Sequence, residues 1–311
     1  MNSSAFVFPG QGSQSVGMMA GFGNAPIVQN TFVEASDLLR VDLWKMALDG
    51  PAEDLAQTVN TQPLMLTAGI AIWRLWRSLG GGMPGYFAGH SLGEYSALVA
   101  AEVIRFADAI PLVRYRAELM QDAAPAGQGG IAAILGLDDE TLKAVCANAA
   151  QGEIVELANY NSPGQLVISG SHAAVERAIE AAKTRGAKRA MMLAMSVPAH
   201  CSLMRPAAAQ LRQRIDEINF LPPVAPVIQN VDAVSFNDPV AIKDALVRQL
   251  YGAVRWIETI KAIADGGVKR VVECGPGRVL VGLNKRIDDR IQAMSIHDQA
   301  SLDAVRATIN G

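Results

Sequence analysis

The pentapeptide Gly89-His90-Ser91-Leu92-Gly93 sets a serine between glycines two positions to either side. On a tight strand-to-helix turn, small residues there let the backbone cross closely and leave the hydroxyl exposed. N–H groups opening the following helix would favour a developing oxyanion. A serine so placed is a candidate nucleophile for acyl transfer, and it needs a base, normally a histidine. Four histidines are available. His90 adjoins the serine and is expected to turn away from its hydroxyl. His172 opens a predicted helix, His200 follows Ser196-Val197-Pro198-Ala199, and His297 lies late in the chain. A position where the chain passes between domains, where clefts form, favours His200.

The elements around these residues are those that build such a turn. Ala5–Phe8 reads as a buried strand stopped by Pro9-Gly10, and helical patterns follow at 31–39 and 64–79. The run Tyr86-Phe87-Ala88 leads into the turn, and the Pro-free, Ala- and Leu-rich stretch 92–103 leaves it as a helix. Strand, sharp turn and helix in that order belong to a parallel α/β sheet. From about Gln128 the rhythm changes. Strands are expected at 131–135, 154–160, 165–169 and 189–195, with helices at 138–149 and 171–184 and a turn at Asn161-Ser162-Pro163-Gly164. That βαββαβ order is ferredoxin-like and fits a small inserted domain. A strand at 224–229, a helix at 241–250 and a strand at 268–273 then resume the α/β character. The expected division is a large domain, 1–127 and 197–311, interrupted by a small one, 128–196.

With 311 residues, half of them hydrophobic and 18% charged, the chain can bury a large core. A net charge of -3 gives no basic field for nucleic acid. The cysteines Cys146, Cys201 and Cys274 are odd in number and lack C-x-x-C spacing, which argues against disulfides and zinc and suits a reducing cytosol. Met1-Asn2-Ser3-Ser4 has no basic n-region, and no apolar stretch is long enough for a bilayer. A cytoplasmic protein with no metal, no membrane contact and no permanently bound cofactor is expected. Gly10-Gln11-Gly12 is not a nucleotide loop, because position 15 is Ser and no Lys follows as in a P-loop.

Several motifs in order resemble the malonyl-CoA:acyl carrier protein transacylases of bacterial fatty acid synthesis, almost end to end. They are Phe8-Pro9-Gly10-Gln11-Gly12-Ser13-Gln14, Thr61-Gln62-Pro63, Gly89-His90-Ser91-Leu92-Gly93-Glu94-Tyr95, Asn161-Ser162-Pro163-Gly164-Gln165, Val197-Pro198-Ala199-His200 and Gly275-Pro276-Gly277. The resemblance implies an α/β fold: a large hydrolase-like domain around a central parallel sheet, with a small ferredoxin-like insertion.

It also implies a ping-pong cycle in which Ser91 carries malonyl from malonyl-CoA to the phosphopantetheine thiol of an acyl carrier protein. His200 would be the base, a main-chain carbonyl at Gln249 would orient it, and the N–H groups of Gln11 and Leu92 would hold the oxyanion. Each such donor is typically worth about 3–4 kcal/mol in the transition state. Malonyl carries a free carboxylate, and Arg116, by resemblance, would bind it, with Gln62 lining the pocket. Arg114, two residues away, should face another side of the helix. The residue before the histidine is commonly Ser in the family and is Ala199 here, so a hydroxyl's hydrogen bond is missing. Cys201 beside the base is expected to pack rather than react.

An acidic carrier would meet basic residues at Lys183, Arg185, Lys188 and Arg189, or at Lys285, Arg286 and Arg290, though these could equally be an ordinary solvated face. The enzyme is expected to be a monomer. Three other readings remain: a serine hydrolase using Ser91, a later Asp and His297; a non-catalytic docking protein; and the same chemistry serving malonate decarboxylase or a polyketide synthase.

Overall fold

The computed structural model describes residues 3–23, 25–124, 127–193 and 197–310. A parallel five-stranded sheet has the order β7-β2-β1-β8-β9, with β1 Ser4–Phe8, β2 Tyr86–Gly89, β7 Val227–Ile228, β8 Arg270–Cys274 and β9 Gln292–Ile296. β1 is buried along its whole length on both faces, as a central parallel strand must be. Trp73 and Trp76 of the helix Thr58–Ser78 pack on Phe6, with ring centroids 5.3 and 5.2 Å away.

The second sheet is antiparallel, in the order β4-β5-β3-β6. Its strands are β3 Gly129–Leu135, β4 Val155–Ser162, β5 Gln165–Ser171 and β6 Arg189–Met192. The helices Asp139–Ala150 and His172–Thr184 lie in the ferredoxin-like sequence positions. The latter buries Ala174, Val175, Ala178, Ile179 and Ala182, an amphipathic stripe. The two parts meet at a main-chain bridge: Val254 N–H donates to Ala158 O (2.8 Å), and Tyr160 N–H donates to Val254 O (2.9 Å).

Four differences from the sequence reading have physical causes. The strand expected at 224–229 pairs only through Val227 and Ile228, because Pro222, Pro223 and Pro226 have no N–H to donate to a ladder. β9 was not expected. It is an edge strand, Gln292-Ala293-Met294-Ser295-Ile296, whose polar Gln292 and Ser295 leave no continuous apolar run. The helix expected from 64 starts at Thr58 and carries Pro63 inside it. That proline frees the Val59 carbonyl, which accepts instead from Arg114 Nη1 at 3.2 Å. The turn expected at 161–164 is tighter than read, since β4 runs through Ser162 and β5 begins at Gln165. The last part of the strand expected at 189–195 lies outside the described residues. Among the described residues no helix is long and apolar enough to cross a membrane, and no cluster of His, Cys, Asp or Glu could hold a metal.

Candidate active site

Ser91 stands just beyond the C-terminal end of β2, where ligands meet parallel α/β sheets. Its φ is 52°, a left-handed conformation that is strained for a residue with a side chain. The flanking glycines make the turn possible. A Cβ at Gly89 would lie 1.9 Å from the Gly93 carbonyl, and one at Gly93 would lie 2.0 Å from the Phe8 carbonyl oxygen. The helix Gly93–Ala100 follows at once. Asn230 secures both sides of the turn: its Nδ2 donates to Gly89 O and its Oδ1 accepts from Ser91 N–H, each at 2.7 Å. The parallel register of β7 beside β2, with Ile228 opposite Ala88, carries Asn230 to this level.

His200 Nε2 lies 2.7 Å from Ser91 Oγ. Its Nδ1 lies 2.8 Å from the Gln249 carbonyl oxygen, and its main-chain N–H donates to Leu250 O at 3.1 Å. Both carbonyls belong to the last turn of the helix Pro239–Tyr251, where carbonyls have no partner within the helix. A carbonyl can only accept, so Nδ1 carries the proton and Nε2 is free to accept from the serine. The negative helix end also favours positive charge arising on the ring. His200, like Ser91, has a positive φ, 64°. Burial first, then the Arg116 charge, lowers its pKa from 6.5 to about 3, which keeps the imidazole neutral.

Arg116 is buried, 1% exposed, on the helix Phe106–Asp122. Its Nη1 donates to Gln62 Oε1 (2.8 Å) and its Nη2 to Gln249 Oε1 (3.0 Å), with Ser91 Oγ 3.4 Å from Nη2. The Tyr95 ring faces the guanidinium at 5.5 Å. Among the described residues no carboxylate forms an ion pair with it, and its buried Nε has no partner. Gln62 is held in turn by Met120 Sδ, at 3.4 Å from its Nε2. Arg114 turns elsewhere and pairs with Glu118 at 2.8 Å.

The first loop adjoins the elbow closely: a Cβ at Gly10 would lie 2.5 Å from His90 O. Among the described residues no hydrogen bond engages the main-chain N–H of Gln11 or of Leu92. The Gln11 side chain is held away by donating to Thr58 Oγ1 at 3.2 Å.

The other histidines lie outside this arrangement. His90 turns from the serine to Asn161 Oδ1 (2.7 Å), His172 faces Glu176, and His297 sits beside Ser295 and Asp298. The Cys201 thiol donates to Pro198 O, and burial raises its pKa to about 11, so no thiolate competes with the serine. Ala199 is buried and donates its N–H to Val197 O. Residues missed from sequence are Asn161, Asn230, Glu94 and the side chain of Gln249. Glu94 Oε2 accepts from Asn230 N–H (2.8 Å) and from Gln249 Nε2 (3.1 Å). The one available signal was Glu94 itself, the single charged residue of the helix beside the nucleophile.

The model of the acyl transferase domain family matches residues 5–297. The malonyl CoA-acyl carrier protein transacylase of Salmonella typhimurium is 53% identical over 305 residues, 98% of this chain and 99% of that one. A crystal structure of an acyl carrier protein S-malonyltransferase from Vibrio cholerae superposes with a TM-score of 0.95 at 54% identity, covering 97% of this chain and 99% of that chain. A malonyl-transacylase in complex with its type II PKS acyl-carrier protein gives 0.97 at 52% identity, covering 99% and 100%. The chain therefore belongs to the acyl transferase domain family and, within it, to the malonyl-CoA:acyl carrier protein transacylases.

Proposed function

We propose that this enzyme transfers malonyl from malonyl-CoA to the phosphopantetheine thiol of an acyl carrier protein through a malonyl-Ser91 intermediate, supplying fatty acid synthesis. The observation that carries the reading is the buried Arg116 guanidinium, 3.4 Å from the nucleophilic oxygen and without a carboxylate of its own. A malonyl group on Ser91 has its free carboxylate one methylene beyond the ester carbonyl, within reach of such a cation. A buried guanidinium with no carboxylate in direct contact is costly to keep, so the site favours an acyl group that brings one against it.

In the cycle, His200 Nε2 accepts the Ser91 proton as Oγ attacks the thioester carbonyl. The N–H groups of Gln11 and Leu92 receive the oxyanion, and His200 returns its proton to the departing CoA thiolate. The carrier thiol then gives its proton to His200, attacks the Ser91 ester and leaves with malonyl, and the proton returns to Oγ. A neutral carbonyl suffices to orient His200, because thiol leaving groups need less assistance than amines. Malonyl-CoA and the carrier are substrates, and the chemistry needs no resident cofactor.

We read 1–127 with 197–311 as one domain and 128–196 as a second, since each sheet has its own buried apolar cluster. All the site groups come from one chain, which suits a monomer. Three free cysteines, buried and unpaired, suit the reducing cytoplasm. An acidic carrier would meet exposed Arg185, Lys188 and Arg189 more readily than Lys183 or Arg290, which are paired with Glu180 and with Asp265 and Asp288.

Intact-mass measurement after mixing with malonyl-CoA should show one malonyl adduct on the wild type and none on Ser91→Ala. Transfer to holo acyl carrier protein should discharge it. A wild-type protein that stays unmodified would sink the reading. The hydrolase alternative requires His297→Ala to abolish acylation, whereas its partners Ser295 and Asp298, which take no part in this site, predict no change.

A further inference from the structure

We infer that Glu94 is a positioning residue for this reaction, holding the nucleophile's peptide, the carboxylate-binding arginine and the base in one frame while opposing the substrate's negative charge. The inference rests on the roles proposed above for Ser91, His200 and Arg116.

Glu94 is fully buried in the first turn of the helix that leaves the elbow. One of its oxygens, Oε2, accepts from two residues. The first is Asn230, whose side chain holds Gly89 O and Ser91 N–H. The second is Gln249, whose Nε2 also donates to Ser91 O at 2.9 Å and whose Oε1 accepts from Arg116. The Gln249 carbonyl meets His200 Nδ1. Both sides of the strained Ser91 residue, the guanidinium and the imidazole are thus all one residue removed from a single carboxylate oxygen.

The other oxygen, Oε1, is buried without a partner. Two hydrogen bonds alone would be served as well by an amide, at less desolvation cost. What a carboxyl adds is charge. The charged and titratable groups bearing on it are Arg116 from the helix Phe106–Asp122, Asp232 from the loop after β7, and Tyr95 beside it. Burial raises its pKa to about 7 against the pull of its hydrogen bonds and of Arg116. In the free enzyme above that pH, an ionised Glu94 therefore offsets Arg116 through the Gln249 amide. When the malonyl carboxylate docks, two anions share one guanidinium, and Glu94 takes up a proton from solvent. Acetyl-CoA brings no carboxylate and calls for no proton.

The test measures kcat and KM for Ser91 acylation by malonyl-CoA and acetyl-CoA between about pH 6 and about pH 8.5, with wild type, Glu94→Gln and Glu94→Ala. In the wild type the malonyl-CoA KM should rise roughly tenfold with pH while the acetyl-CoA KM stays level. Glu94→Gln should flatten the malonyl-CoA KM. Glu94→Ala should lower kcat about 100-fold with both acyl donors, and the amide variant should recover most of that loss. A Glu94→Gln enzyme whose malonyl-CoA KM still follows the wild-type pH course would overturn the charge role. A folded Glu94→Ala enzyme with undiminished kcat would overturn the positioning role. Should Glu94→Ala fail to fold, the pH comparison with Glu94→Gln still decides. A wild type that forms no malonyl adduct points instead to failure of the underlying functional reading, which the mass measurement detects separately.

Discussion

The two sheets of this protein are built from different interiors. The antiparallel part packs Ile134, Leu142, Val155, Leu166, Ile168, Val175 and small alanines, and among the described residues its only fully enclosed polar ones are Ser162 and Ser169. The parallel part encloses Glu94, Arg116, His200, Asn230 and Gln249 in addition to its aromatic core. Burying a charge or an amide is tolerated only when it is hydrogen-bonded, and those bonds converge on one serine. The apolar interior serves stability alone, whereas the polar one trades stability for a fixed geometry. Toward the site, the antiparallel part contributes Asn161 to His90 and, through Glu156, two bonds to Ser202 near the base.

Substitutions in the two interiors should therefore separate rate from stability. The largest effect belongs to His200→Ala, which should slow Ser91 acylation about 10⁴-fold in single-turnover measurements, with little change in melting temperature. Arg116→Ala comes next. Its malonyl-CoA rate should fall roughly 10²- to 10³-fold while the acetyl-CoA rate stays nearly level, and an unchanged preference for malonyl would remove Arg116 from its assigned place. On the apolar side, Ile168→Ala should cost about 2–5 kcal/mol in denaturant unfolding yet leave the rate per folded molecule intact.

Acidification probes the polar interior from another direction. The His200 pKa is lowered to about 3, so an unfolded chain binds a proton there below 6.5 that the folded chain refuses. Stability present above 6.5 is thus lost as pH falls toward 3. Glu94 acts with the opposite sign: its pKa is raised from 4.5 to about 7, and the stability it contributes below 4.5 is lost as pH rises through 7. Because the two oppose each other, urea midpoints at about pH 5 and about pH 6.5 should differ more in His200→Ala, which leaves the Glu94 contribution unopposed, than in wild type. The smallest effect is expected from Arg114→Ala, about 1 kcal/mol, through the Val59 carbonyl that Pro63 leaves open. An effect of that variant on malonyl preference would blur the distinction from Arg116.

What the chain's sequence determined by itself was local chemistry and element order. The Gly-x-Ser-x-Gly spacing demanded a sharp strand-to-helix turn, since a Cβ at Gly89 or Gly93 cannot fit, and the βαββαβ rhythm announced a second sheet. Ordered motifs carried the family. Asn230, Glu94 and the Gln249 side chain escaped because amides and carboxyls are unremarkable in sequence and acquire a purpose only from what faces them. Arg116 and Arg114 look alike on paper; the path of one helix past another buries the first beside Ser91 and spends the second on a carbonyl freed by proline. His200 stood out from three other histidines by position alone. Only the tertiary structure brings the end of the helix Pro239–Tyr251 against it, and that unpaired helix terminus decides which ring nitrogen carries the proton.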